Sequence, residues 1–560
     1  MHDYSNLSDL ADACEKFRGQ FRDQRKAENL ATRRKLADWI RKFHHECGTL
    51  TSQVEQALNK LDSDNCILLM TAHQPNLFAY SGVLRKATLN HVLATRLSKR
   101  LDVPVVSFFG LADQDFTDDR WVKSAVLPDV ERRNATLELR IPLPERIMLN
   151  KTPKPSETIL DTWKHDIQNW IHRKTKSVAE LSGIQLDENE YLKNLTQFWS
   201  IVTDSHNKAE NCADFSAYII SKIINTTWEY DTLFSRFSEC QRIFKQEFSS
   251  LIGRFWEYSK AVQDAEERSQ TEDTGVHSDE HLTVPVWYNC ECGSKARLIA
   301  VDAEGGIMGH GDCLVCRKRH EIDFSPESSI WNDLARVSAR ALAMPLVLFR
   351  GLGVCCYVGG VGGRQYLRQA KYVAGQMGMA FPPVVIWRPH DRYLGLGQLE
   401  ALLTLKKLAG SFDPSQRKAA DATLRKELAT IQQQIDELET RKKEIRDWTG
   451  ERSQRINEIK DLAKQQDMVR HESNSAMLAR HLGLLENSER VMTLHPCIID
   501  YAVNLGLSNV SEQWEASLRT VGDLESDIIF RTEMDQQFPQ FGPQSFWPRL
   551  VEDIKHDGIE

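Results

Sequence analysis

The chain has 560 residues, of which 41% are hydrophobic and 27% charged, and its net charge is −8. This length allows several domains, and the acidic balance argues against a protein that mainly coats nucleic acid, since such proteins carry a basic face. The segment 1–33 is charged throughout and lacks the apolar core of a secretory signal, and no apolar run reaches the roughly 18 residues of a membrane span. Twelve cysteines are too few for a disulfide scaffold, so we expect a reduced, cytoplasmic protein.

The first part of the chain predicts a helical lead-in followed by an α/β core. Residues 66–70 form an apolar run of strand length, and a polar loop follows at 71–76. A helix is predicted from about Leu77 to Leu101, with Pro75 at its first turn. A second apolar run covers 103–109. This order of strand, loop, helix and strand predicts the opening of a parallel sheet.

The second half of the core is predicted to resume after an insertion. The expected elements are a helix at 331–344, a strand at 346–349, a strand at 355–358, a helix that ends near 377 and a strand at 383–387.

A heptad seam is the main feature of the segment that follows. Apolar residues recur at alternating steps of four and three, with one position skipped, at Leu424, Leu428, Ile431, Ile435, Leu438 and Ile445. Gly450 interrupts the seam, and Ile456, Ile459 and Leu462 follow it. This spacing predicts a helical hairpin that forms an antiparallel coiled coil, which could dimerise the protein. The alternative is one helix of an ordinary bundle.

The predicted fold class is therefore α/β, with a Rossmann-like parallel sheet, a helical insertion domain, a zinc ribbon and a C-terminal antiparallel coiled coil. The expected domains are an N-terminal helical segment at 1–62, the first half of the core at 63–124, a mostly helical insertion at 125–283, the ribbon at 284–325, the second half of the core at 326–410, the coiled-coil hairpin at 411–484 and a C-terminal region at 485–560.

Two close cysteine pairs give the most specific local motif. Cys290 and Cys292 are separated from Cys313 and Cys316 by twenty residues, and two such pairs on tight turns can form a tetrahedral thiolate site. Four cysteines close the shell around a zinc ion, which favours a structural site over a catalytic one. The nearby His310 and His320 could substitute as ligands, but we expect them to be surface residues. RNA contact is an alternative role for the ribbon, because it carries the basic residues Lys295, Arg297, Arg317, Lys318 and Arg319.

Polar residues and glycines that could form a binding site lie in three loops that follow predicted strands. In an open parallel sheet, ligands bind beyond the carboxyl ends of the strands. The residues that these loops place at that edge are Thr71, His73, Gln74 and Asn76, then Asp113, Gln114 and Asp115, and then Gly359, Gly360, Gly362, Gly363, Arg364 and Gln365. Each loop also has a structural interpretation: His73 can satisfy a core hydrogen bond, the aspartates can start a helix, and the glycines can permit a tight turn. The glycine run lacks the lysine of a P-loop. Backbone N–H groups at the start of a helix can nevertheless bind an anion, and Arg364 would add charge-assisted hydrogen bonds to a carboxylate or phosphate.

These loops resemble a known family, the cysteine-adding enzymes of bacillithiol synthesis. Residues 71–78 (Thr-Ala-His-Gln-Pro-Asn-Leu-Phe) look like the family's Thr-Gly-Gln-Gln-Pro-Gly loop, and 113–116 (Asp-Gln-Asp-Phe) resembles its Asp-His-Asp-Phe. Residues 357–363 (Tyr-Val-Gly-Gly-Val-Gly-Gly), with Tyr366, are similar to its Tyr-Val-Gly-Gly-Pro-Gly-Glu loop and downstream tyrosine, and 494–496 (Leu-His-Pro) fits its closing segment. His73, Gln114 and Gly363 replace the family's glutamine, histidine and glutamate, and the ribbon is an addition. These changes bear on substrate identity more than on fold.

The resemblance implies a core like that of class I aminoacyl-tRNA synthetases and a carbon–nitrogen ligase that joins cysteine to the amine of glucosaminyl-malate. Because a free carboxylate is a poor electrophile, we expect ATP with Mg²⁺ or an activated aminoacyl donor. In this hypothesis His73 is the general base or orients the carboxyl group, Asp113 and Asp115 bind the donor or acceptor amine, and the glycine loop and Arg364 hold an anion. The alternatives are a transferase that uses aminoacyl-tRNA, and a non-catalytic scaffold built on the ribbon and the coiled coil.

Overall fold

The computed structural model describes residues 7–62, 65–132, 136–183, 185–270, 282–387, 395–409, 414–447, 452–472 and 496–522. The helices are α1 (Leu7–Cys47), α2 (Ser52–Leu61), α3 (Ser81–Leu101), α4 (Arg120–Lys123), α5 (Glu157–Ser182), α6 (Glu188–Lys208), α7 (Cys212–Ser221), α8 (Phe237–Cys240), α9 (Lys245–Gly253), α10 (Phe255–Gln270), α11 (Ala343–Leu352), α12 (Arg364–Gln376), α13 (Leu396–Ala409), α14 (Pro414–Asp447), α15 (Arg452–Glu472), α16 (Ile498–Leu505) and α17 (Leu507–Gly522). The strands are β1 (Ile67–His73), β2 (Val105–Leu111), β3 (Ser124–Pro128), β4 (Thr136–Arg140), β5 (Leu233–Arg236), β6 (Thr283–Asn289), β7 (Lys295–Ala303), β8 (Gly306–Asp312), β9 (Arg319–Asp323), β10 (Val337–Ala339), β11 (Val354–Gly360) and β12 (Val384–Trp387). No helix in these ranges is both long and apolar enough to cross a membrane.

A parallel five-stranded sheet forms the centre, in the order β12-β11-β1-β2-β5. Side chains of β1 alternate between two cores, as the pleat of a strand requires. Ile67 and Leu69 pack with α3 and with residues 10–17 of α1, whereas Leu68 and Met70 pack in the other core, which includes residues 36–40 of α1. Burial on both faces explains why these strands read as continuous apolar runs. The predicted Rossmann-like α/β class is confirmed.

The segment expected to be a separate insertion contributes to the central sheet. Within 125–283, β5 pairs in parallel with β2 and forms the edge of the sheet. The β3–β4 hairpin and the helices α5, α6 and α7 of this range pack with α16 and α17 in one core, whereas α9 and α10 pack in another. The four-residue β5 was missed because it is short and lies between long helical stretches.

Two predicted elements of the second half are wrong. The range 331–344, expected to be a helix, holds short 3-10 turns and β10, while 346–349, expected to be a strand, lies inside α11. An apolar run of this length cannot be assigned from periodicity alone, and Pro345 in the first turn of α11 is compatible with a helix. The β11, α12 and β12 elements agree with the prediction.

The first predicted helix starts later than expected. β1 continues to His73, and α3 begins at Ser81 rather than at Leu77. Phe78 has a φ of 44°, a left-handed conformation that interrupts a helix at that point. A loop of seven residues, 74–80, therefore separates β1 from α3.

The ribbon is an antiparallel sheet in the order β10-β6-β7-β8-β9. It extends past the predicted 284–325, because β10 pairs with β6. Two further long helices, α14 and α15, lie side by side, since the amide of Gln466 bonds to the backbone oxygen of Ile435 (3.1 Å) and to Glu439 (3.1 Å). Ile431 and Leu462 of the predicted seam are buried, whereas Ile456 is exposed. The coiled coil stays a prediction, and Gly450, Leu494 and His495 lie outside the described residues.

Candidate active site and metal centre

A cavity of about 860 Å³ opens where the carboxyl ends of β1, β2 and β11 meet the ribbon. The core lines it with the loops after β1, β2 and β11, and the ribbon lines it with Trp287, Lys295, Ser338 and Ala339. This is the edge at which ligands of open parallel sheets bind. The predicted site residues that line the cavity are His73, Gln74, Gln114, Asp115, Gly360, Gly362, Gly363 and Tyr366.

His73 is hydrogen-bonded through both ring nitrogens. Its Nδ1 lies 3.0 Å from the carbonyl oxygen of Gln74, and its Nε2 lies 3.2 Å from the hydroxyl of Tyr80. Because a carbonyl only accepts, we assign the proton to Nδ1, so that Nε2 accepts from Tyr80. Burial and the nearby Lys86 lower the pKa of His73 to about 3. The imidazole is therefore neutral at physiological pH and a poor proton acceptor.

Asp115 presents its carboxylate to the cavity. Gln74 donates its amide Nε2 to Asp115 Oδ2 at 2.9 Å, and the backbone of Asp115 accepts from the N–H of Leu149 (2.9 Å). Burial raises the pKa of the Asp115 carboxyl, and the attraction of Lys295 opposes that rise. A carboxylate with a raised pKa can bind a cation or accept a proton.

Asp113 lies outside the cavity lining. Its carboxylate accepts hydrogen bonds from the backbone N–H (3.0 Å) and hydroxyl of Ser238 and from Nδ2 of Asn150 (2.9 Å). Burial raises the pKa of Asp113, and these donors oppose the rise. Asp113 therefore joins β2 to α8 and to Asn150, and its predicted contact with an amine stays a prediction.

Thr71 and Asn76 also lie away from the cavity lining. The Thr71 hydroxyl donates to the carbonyl oxygen of Val358 at 2.8 Å, so it links β1 to β11. Asn76 is buried, and within the described structure neither atom of its amide has a hydrogen-bond partner.

The glycine run follows β11 and leads into α12. A Cβ added at Gly360 or Gly362 would meet no atom within 4 Å, so these positions leave open space beside the cavity. Gly359 differs, because its Cβ would approach Leu367 at 2.9 Å and it does not line the cavity. Arg364 begins α12 but does not line the cavity either. The predicted anion-binding role of Arg364 therefore stays a prediction.

Two buried lysines line the cavity and were not predicted there. Lys86 of α3 donates to the carbonyl oxygen of Ala72 at 3.1 Å, and Lys295 comes from the first position of β7. Burial lowers the pKa of each ammonium to about 8. The sequence signal for Lys86 is a lysine on a helix face that packs against the sheet. Lys295 was assigned only to the basic surface of the ribbon.

The four cysteines form one compact cluster. Their sulfur atoms lie within 4.8 Å of one another, with 3.6 Å between Cys290 and Cys316 and 3.5 Å between Cys292 and Cys313. Burial raises the pKa of the Cys290 thiol to about 12. Burial acts the same way at Cys313, but the backbone N–H groups of Val315 and Cys316 outweigh it and lower the pKa to about 7.

The geometry of this cluster fits a metal. Gly293 has a φ of 89° and Arg317 a φ of 61°, which close the turn after each cysteine pair. Four converging sulfur atoms suit a tetrahedral zinc ion held as a closed structural site. Of the two histidines taken as surface residues, His310 is half-buried beside Glu321. His320 is buried against the ring of Tyr288, with centroids 4.6 Å apart, so that assignment was wrong.

Comparison with known proteins gives one extensive match. The family model described as bacillithiol biosynthesis BshC, N-terminal Rossmann-like domain, matches residues 6–388, more than half of the chain. A crystal structure named as an arginyl-tRNA synthetase from Campylobacter jejuni aligns with 87% of this chain and 100% of that chain, at 11% identity and a TM-score of 0.22. A likeness this weak carries no argument. A search of curated protein sequences finds no match.

Proposed function

Because this chain belongs to the bacillithiol biosynthesis BshC family, we propose that it is a ligase that joins an amino acid, cysteine by resemblance, to the amine of a small acceptor such as an amino sugar conjugate. The observation that carries this proposal is the cavity, where Asp115, Lys86 and Lys295 line a space large enough for a small-molecule substrate. A carboxylate beside ammonium groups suits two substrates of which one brings an amine and the other a carboxylate.

Amide formation requires an activated carboxyl group and a neutral amine. The amino-acid carboxylate is a poor electrophile, so we expect ATP with Mg²⁺ to convert it into an acyl phosphate or acyl adenylate, or an aminoacyl donor to bring it already activated. ADP leaves when the acyl phosphate forms, and pyrophosphate leaves when the acyl adenylate forms. The acceptor's ammonium then loses one proton to the base, and its nitrogen attacks the carbonyl carbon. Phosphate, AMP or the donor's carrier leaves, and the nitrogen loses a second proton to water. Both lysines can attract the negative charge on the carboxyl or phosphoryl oxygens.

We assign the base to Asp115 rather than to His73. Burial disfavours the imidazolium form of His73 and favours protonation of Asp115, since burial penalises the charged form of each. The hydroxyl of Tyr80 donates a hydrogen bond to His73 Nε2. This bond orients the Tyr80 oxygen so that it can accept a hydrogen bond from the amine. His73 is then a positioning residue for Tyr80.

The test is mass spectrometry of purified protein incubated with ATP, Mg²⁺, all twenty amino acids and glucosaminyl-malate. We expect a product heavier than the acceptor by one amino acid less one water, and its mass identifies the donor. Asp115→Asn should reduce the product at least a hundredfold, whereas the exposed Asp161→Asn should not change it. A second incubation replaces ATP and amino acids with aminoacyl-tRNA. Product formed only there would overturn the free amino acid as donor, and no product in either incubation would favour the scaffold alternative.

A further inference from the structure

Lys295 is a buried ammonium that lines the cavity. Only 4% of the residue is exposed, and none of the hydrogen bonds among the described residues involves its Nζ. The Nζ lies 5.1 Å from the ring centroid of Phe116. Asp115 and Asp113 attract its charge, and Arg340 repels it. Because the side chain is largely buried and lines the cavity, an acceptor on a bound ligand would offset the cost of burying the ammonium.

The carboxylates of the same cavity already have donors from neutral groups. Asp115 accepts from the amide of Gln74 (2.9 Å), and Asp119 accepts from the backbone N–H of Trp121 (2.9 Å) at the start of α4. Opposite charges are thus present in the cavity, but the ammonium of Lys295 keeps its hydrogen-bonding capacity for a ligand. The ammonium of Lys86 adds a further cation on the side of the core.

Both cysteine turns hold the backbone around Lys295. Leu314, between Cys313 and Cys316, donates its N–H to the carbonyl oxygen of Lys295 at 3.0 Å. In the other turn, the N–H of Cys290 donates to the carbonyl oxygen of Ser294 at 2.8 Å. The backbone of Lys295 and of its neighbour Ser294 is therefore held by both cysteine turns, and a metal ion would cross-link these two turns.

The same turns also reach the loop that carries Asp115. Gly293 accepts from the N–H of Met148 at 2.8 Å, and the next residue, Leu149, donates to the carbonyl oxygen of Asp115 at 2.9 Å. Ser294 donates its hydroxyl to the carbonyl oxygen of Arg146 (2.5 Å). Loosening the first cysteine turn would therefore disturb both charged groups of the cavity.

We propose that Lys295 is an anion-binding residue that the inserted ribbon supplies to the core cavity, and that the four-cysteine metal centre holds it in position. The ligand is a phosphate or carboxylate group of a substrate. The metal then has a role in ligand binding besides its contribution to folding of the ribbon. This inference uses the cavity of the proposed function, but it concerns anion binding and does not require turnover.

Calorimetric titration of the zinc-loaded protein with pyrophosphate tests whether Lys295 binds an anion. We expect Lys295→Ala to weaken binding tenfold or more, because a charge-assisted hydrogen bond is lost, and Lys295→Arg to retain most of the affinity. The matched control is Arg319→Ala, an exposed basic residue of the same ribbon, which should bind as the unaltered protein does. Unchanged affinity in Lys295→Ala, or no pyrophosphate binding by the unaltered protein, would overturn the assignment.

Removal of the metal tests whether the four-cysteine centre holds Lys295 in position. We expect zinc stripping by a chelator, and Cys316→Ser, to weaken pyrophosphate binding about as much as Lys295→Ala does. Combining Lys295→Ala with zinc stripping should give no further loss, since both act on one group. Tight binding by the stripped protein, or fully additive losses, would overturn the role of the metal. Near-ultraviolet circular dichroism checks that the core keeps its packing.

Two further titrations identify the source of the anion. If Lys295→Ala weakens binding of ATP with Mg²⁺, the group is a phosphate, and if it weakens binding of glucosaminyl-malate, the group is a carboxylate. A Lys295-dependent affinity for pyrophosphate together with no product in the ligation assay would leave this inference standing and remove the proposed function.

Discussion

Asp113 and Asp115 lie two residues apart after β2, but only Asp115 lines the cavity. The carboxylate of Asp113 is held by Ser238 and Asn150, away from the cavity lining, whereas the carboxylate of Asp115 is held by Gln74 at its wall. Two identical side chains in one loop therefore have different surroundings, one structural and one available to a ligand. The first prediction separates them.

We expect Asp113→Asn to lower the free energy of unfolding by about 1–3 kcal/mol, because an amide nitrogen replaces an oxygen that accepts from Ser238 or Asn150. Asp115→Asn should leave stability within about 0.5 kcal/mol and reduce product formation. Urea denaturation followed by tryptophan fluorescence, with the ligation assay on the same samples, measures both. Equal stability losses in the two variants would contradict this separation.

The sequence predicts which loops meet, but it does not predict which way their side chains point. Strand runs at 66–70 and 103–109 indicate a parallel sheet, and that is sufficient to bring His73 and Asp115 to one edge. The period of a strand does not continue into a loop, so Asp113 could not be told from Asp115.

Long-range placement is the other limit on prediction from the sequence. Lys295 reaches the cavity only because the ribbon sheet docks against the loop at 146–150, a contact between segments far apart in the chain. No local pattern reports such a contact. The cysteine cluster was predictable because metal ligation imposes a spacing that is visible in the sequence.

Tyr80→Phe tests the pair formed by His73 and Tyr80. Removing the hydroxyl leaves Nε2 of His73 without this donor and removes the oxygen that we place beside the amine. We expect product formation to fall about tenfold to a hundredfold, with little change in ATP affinity. The control is Tyr191→Phe, which changes a tyrosine of α6 that does not line the cavity. Equal activity in Tyr80→Phe and the unaltered protein would remove Tyr80 from the mechanism.

Gly362→Ala tests whether the glycine loop faces a ligand. A Cβ at this position meets no protein atom within 4 Å, so thermal stability should stay within about 1 °C to 2 °C of the unaltered protein. We expect ligand affinity to fall, because a methyl group would occupy open space beside the cavity. Gly351→Ala provides the contrast: its Cβ would lie 2.2 Å from Phe244, which does not line the cavity, so it should destabilise the fold and report on packing alone. Unaltered ligand affinity in Gly362→Ala would place the ligand elsewhere.

Metal analysis checks the cysteine centre directly. We expect one zinc ion per chain by inductively coupled plasma mass spectrometry, because four sulfur atoms provide one tetrahedral shell. Cys316→Ser should reduce the zinc content by at least half, whereas Cys355→Ser, a buried cysteine of β11, should not change it. Equal zinc content in both variants would rule out Cys316 as a ligand.

The pH dependence of stability and of anion binding should run in opposite directions at Lys295. Burial lowers the pKa of this lysine to about 8 in the folded protein, and an unfolded lysine titrates near 10.5. Between those values the unfolded chain binds more protons, so the free energy of unfolding should rise with pH by up to about 3 kcal/mol relative to Lys295→Met. Binding of pyrophosphate needs the ammonium form, so affinity should fall as pH rises above about 8. Lys295→Arg keeps its charge and should lose less affinity over the same range. Parallel losses in the two proteins above pH 8 would show that Lys295 is not the titrating group.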